Sequence, residues 1–372
     1  VPRTTEHIRS LDLCRGLAAL LVLLYHIQFL FWDDHSRFQR GYLCVDFFFL
    51  LSGFVIANSY DRKIEAGLGF FEFVALRVAR LWPLVALTTL IGLMVQLPRA
   101  QREWGGLDPF AIAVTAISNG ASLPSPMSPT EFLFPLNGAA WSIFFELVAN
   151  LAYILLVPFL TRGLLLVIIG LSGCMLMAVG IAYGNIDVGW STANFVYGFP
   201  RVAFTFFLGV YLYRGMRPPA ESRFFGPAPL MLGLVATLAL VCLPRGASPA
   251  ANGIVDCLIV IVAFPALLVL ALRTRFRSWG NSVAWLAGGI SYSVYLLQTP
   301  LMIGFAGLPQ VIWGTKIAAY TPWAGFVFVA LCLVAAYVSW MYFEQPVQRW
   351  LVRVLLGRRP LPGIAAVEAI KK

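Results

Sequence analysis

The run Leu11-Asp-Leu-Cys-Arg15-Gly-Leu-Ala-Ala-Leu-Leu-Val-Leu-Leu-Tyr25-His26-Ile-Gln-Phe-Leu-Phe-Trp32 decides the fold. About 20 mostly apolar residues, rising about 1.5 Å each, cross a hydrocarbon layer of about 30 Å. Nine further runs of this kind follow, at about 42–60, 78–97, 139–160, 164–183, 195–213, 228–244, 253–272, 283–306 and 323–345. The expected fold is therefore all-α: a polytopic integral membrane protein of ten transmembrane helices. Composition agrees, with 60% hydrophobic residues, 12% charged residues and a mean hydropathy of +0.81, whereas a soluble domain carries roughly 25% charged residues. The stretch before the first run is short and polar and holds no small-residue cleavage site, so that run reads as a retained helix and not a signal peptide.

The net charge of +10 comes from basic residues scattered singly between apolar runs. That pattern excludes a nucleic-acid-binding stripe. The six cysteines fall in or beside apolar stretches without the short paired spacing of a metal site, so neither zinc nor a disulfide framework is expected. Of the 27 lysines and arginines, nineteen fall before the first run, in the connectors leaving even-numbered runs, or in the tail. Positive loops stay in the cytoplasm, so both termini are expected there. Residues 1–347 form one membrane domain in this reading, and 348–372 a short basic cytoplasmic tail. The long connector from Pro98 to Gly138 reads either as a lid or as an ordinary loop carrying a surface helix near Pro109 to Ser118.

Ionisable groups in hydrocarbon cost several kcal/mol each and face a protein interior or a polar cavity. Arg15 lies six residues past Arg9, about 9 Å into the layer, where it either snorkels back or lines a site. His26 is eleven residues further, about 16 Å along the same helix and close to three turns on, so both share one face. Asp46 sits six residues after the chain re-enters, at a depth similar to that of His26. A carboxylate on one ring nitrogen would make His26 a general base; the alternative is a pair that only satisfies two buried groups. Ser142, Glu146 and Asn150 recur every four residues, and Ser291, Tyr295 and Gln298, with Tyr292 adjacent, make a second polar face. Helix-to-helix hydrogen bonding accounts for the neutral residues of these faces but poorly for Glu146. Arg77 and Arg80, three apart, would suit a nucleotide-like phosphate, or would anchor lipid headgroups.

Taken in order, Arg15 with His26; Gly41-Tyr-Leu-Cys-Val-Asp46 followed by Phe-Phe-Phe-Leu-Leu-Ser52-Gly53-Phe54; Arg77-Val-Ala-Arg80-Leu-Trp-Pro83; Trp141-Ser142 with Glu146; and Ser291-Tyr292-Ser293-Val-Tyr295-Leu resemble acyltransferase family 3. These are bacterial integral-membrane O-acyltransferases of surface glycans, lipopolysaccharide and small secreted molecules. The resemblance runs from about residue 9 to Phe343-Glu344-Gln-Pro346. It implies His26 as the essential histidine of an arginine-ten-histidine motif, and places Asp46, Arg77, Arg80, Trp141 and Glu146 on recurring family positions. Gln298 departs from it, standing where relatives often have histidine, which leaves a hydrogen-bonding duty there. The soluble domain of some relatives is not expected.

The resemblance implies the following chemistry. Acyl-CoA, acetyl-CoA by default, is the donor substrate and binds through Arg77, Arg80 and Arg15. His26, oriented by Asp46, deprotonates the acceptor hydroxyl, with Arg15 a conceivable aid to the oxyanion. Glu146, Trp141, Ser142, Asn150, Tyr292, Tyr295 and Gln298 shape the acceptor site. That acceptor is a glycan, a lipid-linked sugar or a small hydroxylated molecule. No metal is required, membrane lipid is the surrounding partner, and the bacterial inner membrane is the expected location. The rival is a transporter or flippase in which His26 and Asp46 relay protons.

Overall fold

The computed structural model describes residues 8–31, 37–103, 108–128, 130–215, 225–276 and 278–357. Among them the regular structure is helical: α1 (Arg9–Phe31), α2 (Cys44–Glu65), α3 (Phe70–Glu103), α4 (Pro109–Gly120), α5 (Ala140–Leu156), α6 (Arg162–Tyr183), α7 (Gly198–Gly215), α8 (Pro227–Val241), α9 (Pro249–Leu258), α10 (Phe264–Leu272), α11 (Ser278–Trp313), α12 (Trp323–Ser339) and α13 (Gln345–Leu356). Nine helical segments among the described residues are long and apolar enough to cross a membrane. The run expected at 228–244 forms only the 15 residues of α8, because Pro227 opens the helix and Pro244 disfavours helical backbone just before it.

Two spans run through widened turns. A π-helical turn at Ile259–Ala263 joins α9 to α10, and another at Trp340–Glu344 joins α12 to α13. Each precedes a proline, Pro265 or Pro346, whose missing N–H and whose clash with the carbonyl four residues back disfavour a regular α turn. The chain thus stays helical through Leu356, past the boundary expected at 347, and residues 358–372 of the expected tail lie outside the described residues.

Small residues let the spans that carry the site approach closely. A Cβ on Gly16 would stand 2.5 Å from the Ala287 Cβ, and one on Gly288 would stand 2.4 Å from the Asp12 Cβ, so α1 and α11 meet almost backbone to backbone. The same holds for α2 and α7. There a Cβ on Gly53 would lie 1.9 Å from the Phe206 carbonyl oxygen, and one on Gly209 would lie 2.2 Å from that of Leu50. Without a hydrophobic drive between helices in lipid, such contacts supply the packing.

The connector between α3 and α5 folds back along α3. Trp82 Nε1 donates to the Gly120 carbonyl at 2.9 Å, and Asn137 Nδ2 donates to Thr88 Oγ1 at 2.9 Å and to the Leu296 carbonyl at 3.1 Å. Thr115 and Ser125 share a hydrogen bond, and Asn119 donates to the Leu133 carbonyl. The expected surface helix exists as α4, capped by the Asp108 carboxylate. A segment knitted down by buried side chains is a wall of the bundle rather than a free lid.

Gly53→Val places a branched side chain against the α7 backbone and should lower the unfolding midpoint in detergent, with a cost of about 1–3 kcal/mol or more. Gly170→Val, with nothing within 4 Å of its Cβ position, should leave the midpoint unchanged.

Candidate active site

α1 carries the central histidine, and its own backbone orients the ring. His26 Nδ1 lies 2.9 Å from the Val22 carbonyl oxygen, four residues back. A carbonyl only accepts, so Nδ1 carries the proton and, in the neutral ring, Nε2 keeps its lone pair. Tyr25 packs its ring edge on His26, with centroids 5.2 Å apart. On the other side Gln298 of α11 reaches the imidazole. Its Nε2 donates to the Tyr295 carbonyl at 2.9 Å, while its Oε1 is buried without a hydrogen-bond partner.

The expected His26–Asp46 pair is not the pairing seen. Asp46 is fully buried and accepts from Arg201 Nε at 3.0 Å and from Nη2 at 2.8 Å. Arg201 also donates to the Val188 carbonyl at 3.0 Å and the Tyr42 carbonyl at 3.3 Å, and its guanidinium lies over Trp141, 5.2 Å from the ring centroid. A forked, always-charged guanidinium is a stronger partner for a buried carboxylate than a neutral imidazole. Asp46 is therefore linked to His26 only at a distance. Arg201 Nη1 stands 3.7 Å from Asp187, and Asp187 accepts from the Tyr25 hydroxyl at 3.4 Å. Burial lifts the Asp187 carboxyl above the ordinary carboxylate range, against the pull of Arg201.

Nearby, buried Arg40 pairs with Asp256 at 2.9 Å. Tyr42 donates to the same carboxylate, and Arg245 donates to the Tyr42 hydroxyl at 2.8 Å. This cluster ties the α1–α2 turn to α9.

Towards the end of the bundle where α1 begins, the three arginines expected to hold phosphate each face a carboxylate. Arg15 lies 3.5 Å from Asp12 and also donates to the Gly288 carbonyl. Arg77 Nη2 meets Glu146 at 3.2 Å, and Ser52 donates to the same carboxylate oxygen at 2.7 Å. Arg80 pairs with Glu344, whose other oxygen accepts from Ser293 at 2.8 Å. The Arg80 guanidinium also lies 5.2 Å from the Tyr292 ring centroid, and the Tyr292 hydroxyl donates to the Leu81 carbonyl at 2.7 Å. Each of the three charges is thus compensated within the bundle, as uncompensated charges at membrane depth would cost too much. Ser142 and Tyr295 share a hydrogen bond at 2.7 Å, tying the two polar faces together. Asn150 is buried with neither amide atom partnered.

Arg201, Glu344, Asp187 and Tyr25 are the site residues that spacing alone missed. Arg201 and Glu344 lie inside the runs 195–213 and 323–345, so the rule that singled out Arg15 applies to them too. Asp187 sits in a connector, where an acidic residue is unremarked.

A helical, multi-pass membrane protein that lines its interior with paired charges around the His26 imidazole is built for chemistry or passage at membrane depth. Residues 8–343 match the family model described as an acyltransferase domain, and the chain belongs to the acyltransferase 3 family. Protein 2 in picA locus of Rhizobium radiobacter is 35% identical over 168 residues, which is 40% of this chain and 81% of that relative. No solved structure matches the chain.

Breaking the buried Asp46–Arg201 pair leaves one charge stranded, at a cost of about 3–5 kcal/mol. Asp46→Asn and Arg201→Gln should each lower the unfolding midpoint markedly. The double substitution should cost less than the sum of the two, as read by a double-mutant cycle in the same detergent.

Proposed function

We propose that this membrane acyltransferase moves an acyl group, acetyl by default, from a cytoplasmic acyl-CoA to a hydroxyl of a glycan, lipid-linked sugar or small hydroxylated acceptor beyond a bacterial inner membrane. The observation that carries the reading is the Nδ1–H bond of His26 to the Val22 carbonyl, which leaves Nε2 as the basic nitrogen of the neutral ring. In this reading the end of the bundle where α1 begins faces the cytoplasm, as the positive-inside bias directs.

Nε2 takes the proton of the acceptor hydroxyl as its oxygen bonds to the thioester carbonyl carbon. The tetrahedral intermediate then collapses with loss of the carbon–sulfur bond, and the departing thiolate recovers the proton from the imidazolium. The products are the ester and free CoA. A general base of this kind contributes about 10²–10⁴-fold.

Arg15 and Arg77 offer the donor their buried, unpartnered Nε–H groups, while Arg80, held by Glu344, lines the same passage. The rise of about 16 Å from Arg15 to His26 suits a donor whose phosphates stay near the basic end while its thioester reaches the imidazole. Asp46 acts through Arg201 and Asp187, fixing the wall behind Tyr25. Trp141, Ser142, Tyr295 and Gln298 belong to the acceptor side in this assignment, with Glu146 between the two substrates, while Tyr292, expected among them, lies against Arg80 at the donor end.

His26→Ala, purified and reconstituted like the parent, should lose at least about a hundredfold in transfer of label from acyl-CoA, while CoA binding stays close to that of the parent. Undiminished transfer would remove His26 as the base. Movement of acceptor across the vesicle without covalent change would favour transport instead.

A further inference from the structure

Asn150 stands apart from the other polar residues of α5. Its side chain is 1% exposed, yet neither Nδ2 nor Oδ1 has a hydrogen-bond partner. Ser142, on the same helix, is bonded to Tyr295, Glu146 to Arg77 and Ser52, and Tyr153 to Asp61. Leaving both atoms of an amide unsatisfied in an apolar surround is costly, and the hydrocarbon interior supplies no bulk water to offset it. Leucine or alanine would meet the packing need without that cost.

The position narrows what could satisfy it. Asn150 follows Glu146 by four residues, so the two share one helical face a turn apart. Arg77, bonded to Glu146, carries a second buried and unpartnered group, its Nε. Three residues beyond Asn150, Tyr153 donates to Asp61, which is paired with Arg214 at 2.9 Å. Asn150, expected on the acceptor side, therefore lies between that charged rim and the Glu146 level, towards the basic end.

The carboxamide sets one donor and one acceptor side by side. A phosphate only accepts and an ammonium only donates, so each could meet one of the two atoms. A single hydroxyl reaches one of them well. The C=O and N–H of one trans secondary amide point in opposite directions, so it too meets only one of the two atoms. A segment with two amides can turn the C=O of one and the N–H of the other to the same side and satisfy both.

We propose that Asn150 recognises two neighbouring secondary amides in the arm of the acyl donor, through an Nδ2–H···O=C bond to one and an N–H···Oδ1 bond from the other. This rests on the acyl-CoA reading above and adds to it a site for the pantetheine portion, which carries two such amides between its phosphates and its sulfur. Arg77 Nε–H, one turn away, is placed to donate to a neighbouring carbonyl or phosphate oxygen of the same ligand.

The test compares two probes on purified protein in lipid nanodiscs: CoA, and adenosine 3′,5′-bisphosphate, which lacks the arm. Asn150→Leu should weaken CoA binding about tenfold, the scale of one to two lost hydrogen bonds, and leave the bisphosphate unaffected. Its unfolding midpoint should not fall, because the change removes an unsatisfied amide. Asn150→Ala should show the same split between probes if leucine overfills the site. Unchanged CoA affinity in both variants, or equal losses for both probes, would overturn the assignment. A parent protein that binds neither probe would refute the acyl-CoA reading itself, and the amide site with it, whereas a parent that binds both equally well would refute the amide site alone.

Discussion

A charge at membrane depth has to be matched by another charge or by well-placed dipoles, and the rest of this bundle is arranged around that requirement. Arg201 takes Asp46, Arg40 takes Asp256, Arg77 takes Glu146 and Arg80 takes Glu344. Each pair joins residues far apart in the chain, so the ion pairs also fix which spans are neighbours. The pairs at Asp46 and Asp256 share the ring of Tyr42, which lies under both Arg201 and Arg245. Against this matched background, His26 has a backbone carbonyl and a neutral amide beside it and no carboxylate. Its one hydrogen bond within the helix fixes the proton on the far side of the ring.

Close packing delivers that ring to its surroundings. Gly16 and Gly288 allow α1 and α11 to touch near Arg15, and the same two helices then bring Gln298 against His26. A larger residue at either glycine would splay the helices and move Gln298 away from the imidazole. The π-helical turn before Pro346 has a comparable role beside Arg80. It ends at Glu344, whose two carboxylate oxygens meet Arg80 and Ser293. Widened turns of this kind recur at functional sites because they aim one side chain off the regular helical face.

Much of the fold was legible because length and apolarity are local properties. Nine of the ten expected runs form segments long enough to cross, and the tenth is cut short by prolines whose effect the hydropathy of 228–244 does not reveal. Helix ends were less legible. α3 and α11 run well past the limits expected at 97 and 306, since the hydrocarbon thickness bounds the apolar stretch and not the helix. At the site, spacing along one helix correctly joins residues of a single face, such as Ser142, Glu146 and Asn150. It cannot say which helix stands opposite. That is why Asp46 was matched with His26 on depth alone, when Arg201, 155 positions away along the chain, holds it. The carboxylates that meet Arg77 and Arg80 were hidden for the same reason, lying on α5 and in the π-helical turn before Pro346.

The account turns on one proton and one lone pair, and nitrogen-15 NMR of histidine-labelled protein in nanodiscs reads both directly. The chain holds three histidines, so a His26→Gln sample identifies the signal. The expected spectrum shows His26 as the neutral Nδ1–H tautomer, with a pyridine-type Nε2 whose shift changes when acyl-CoA is added. An Nε2–H tautomer, or a ring indifferent to the donor, would contradict the central claim.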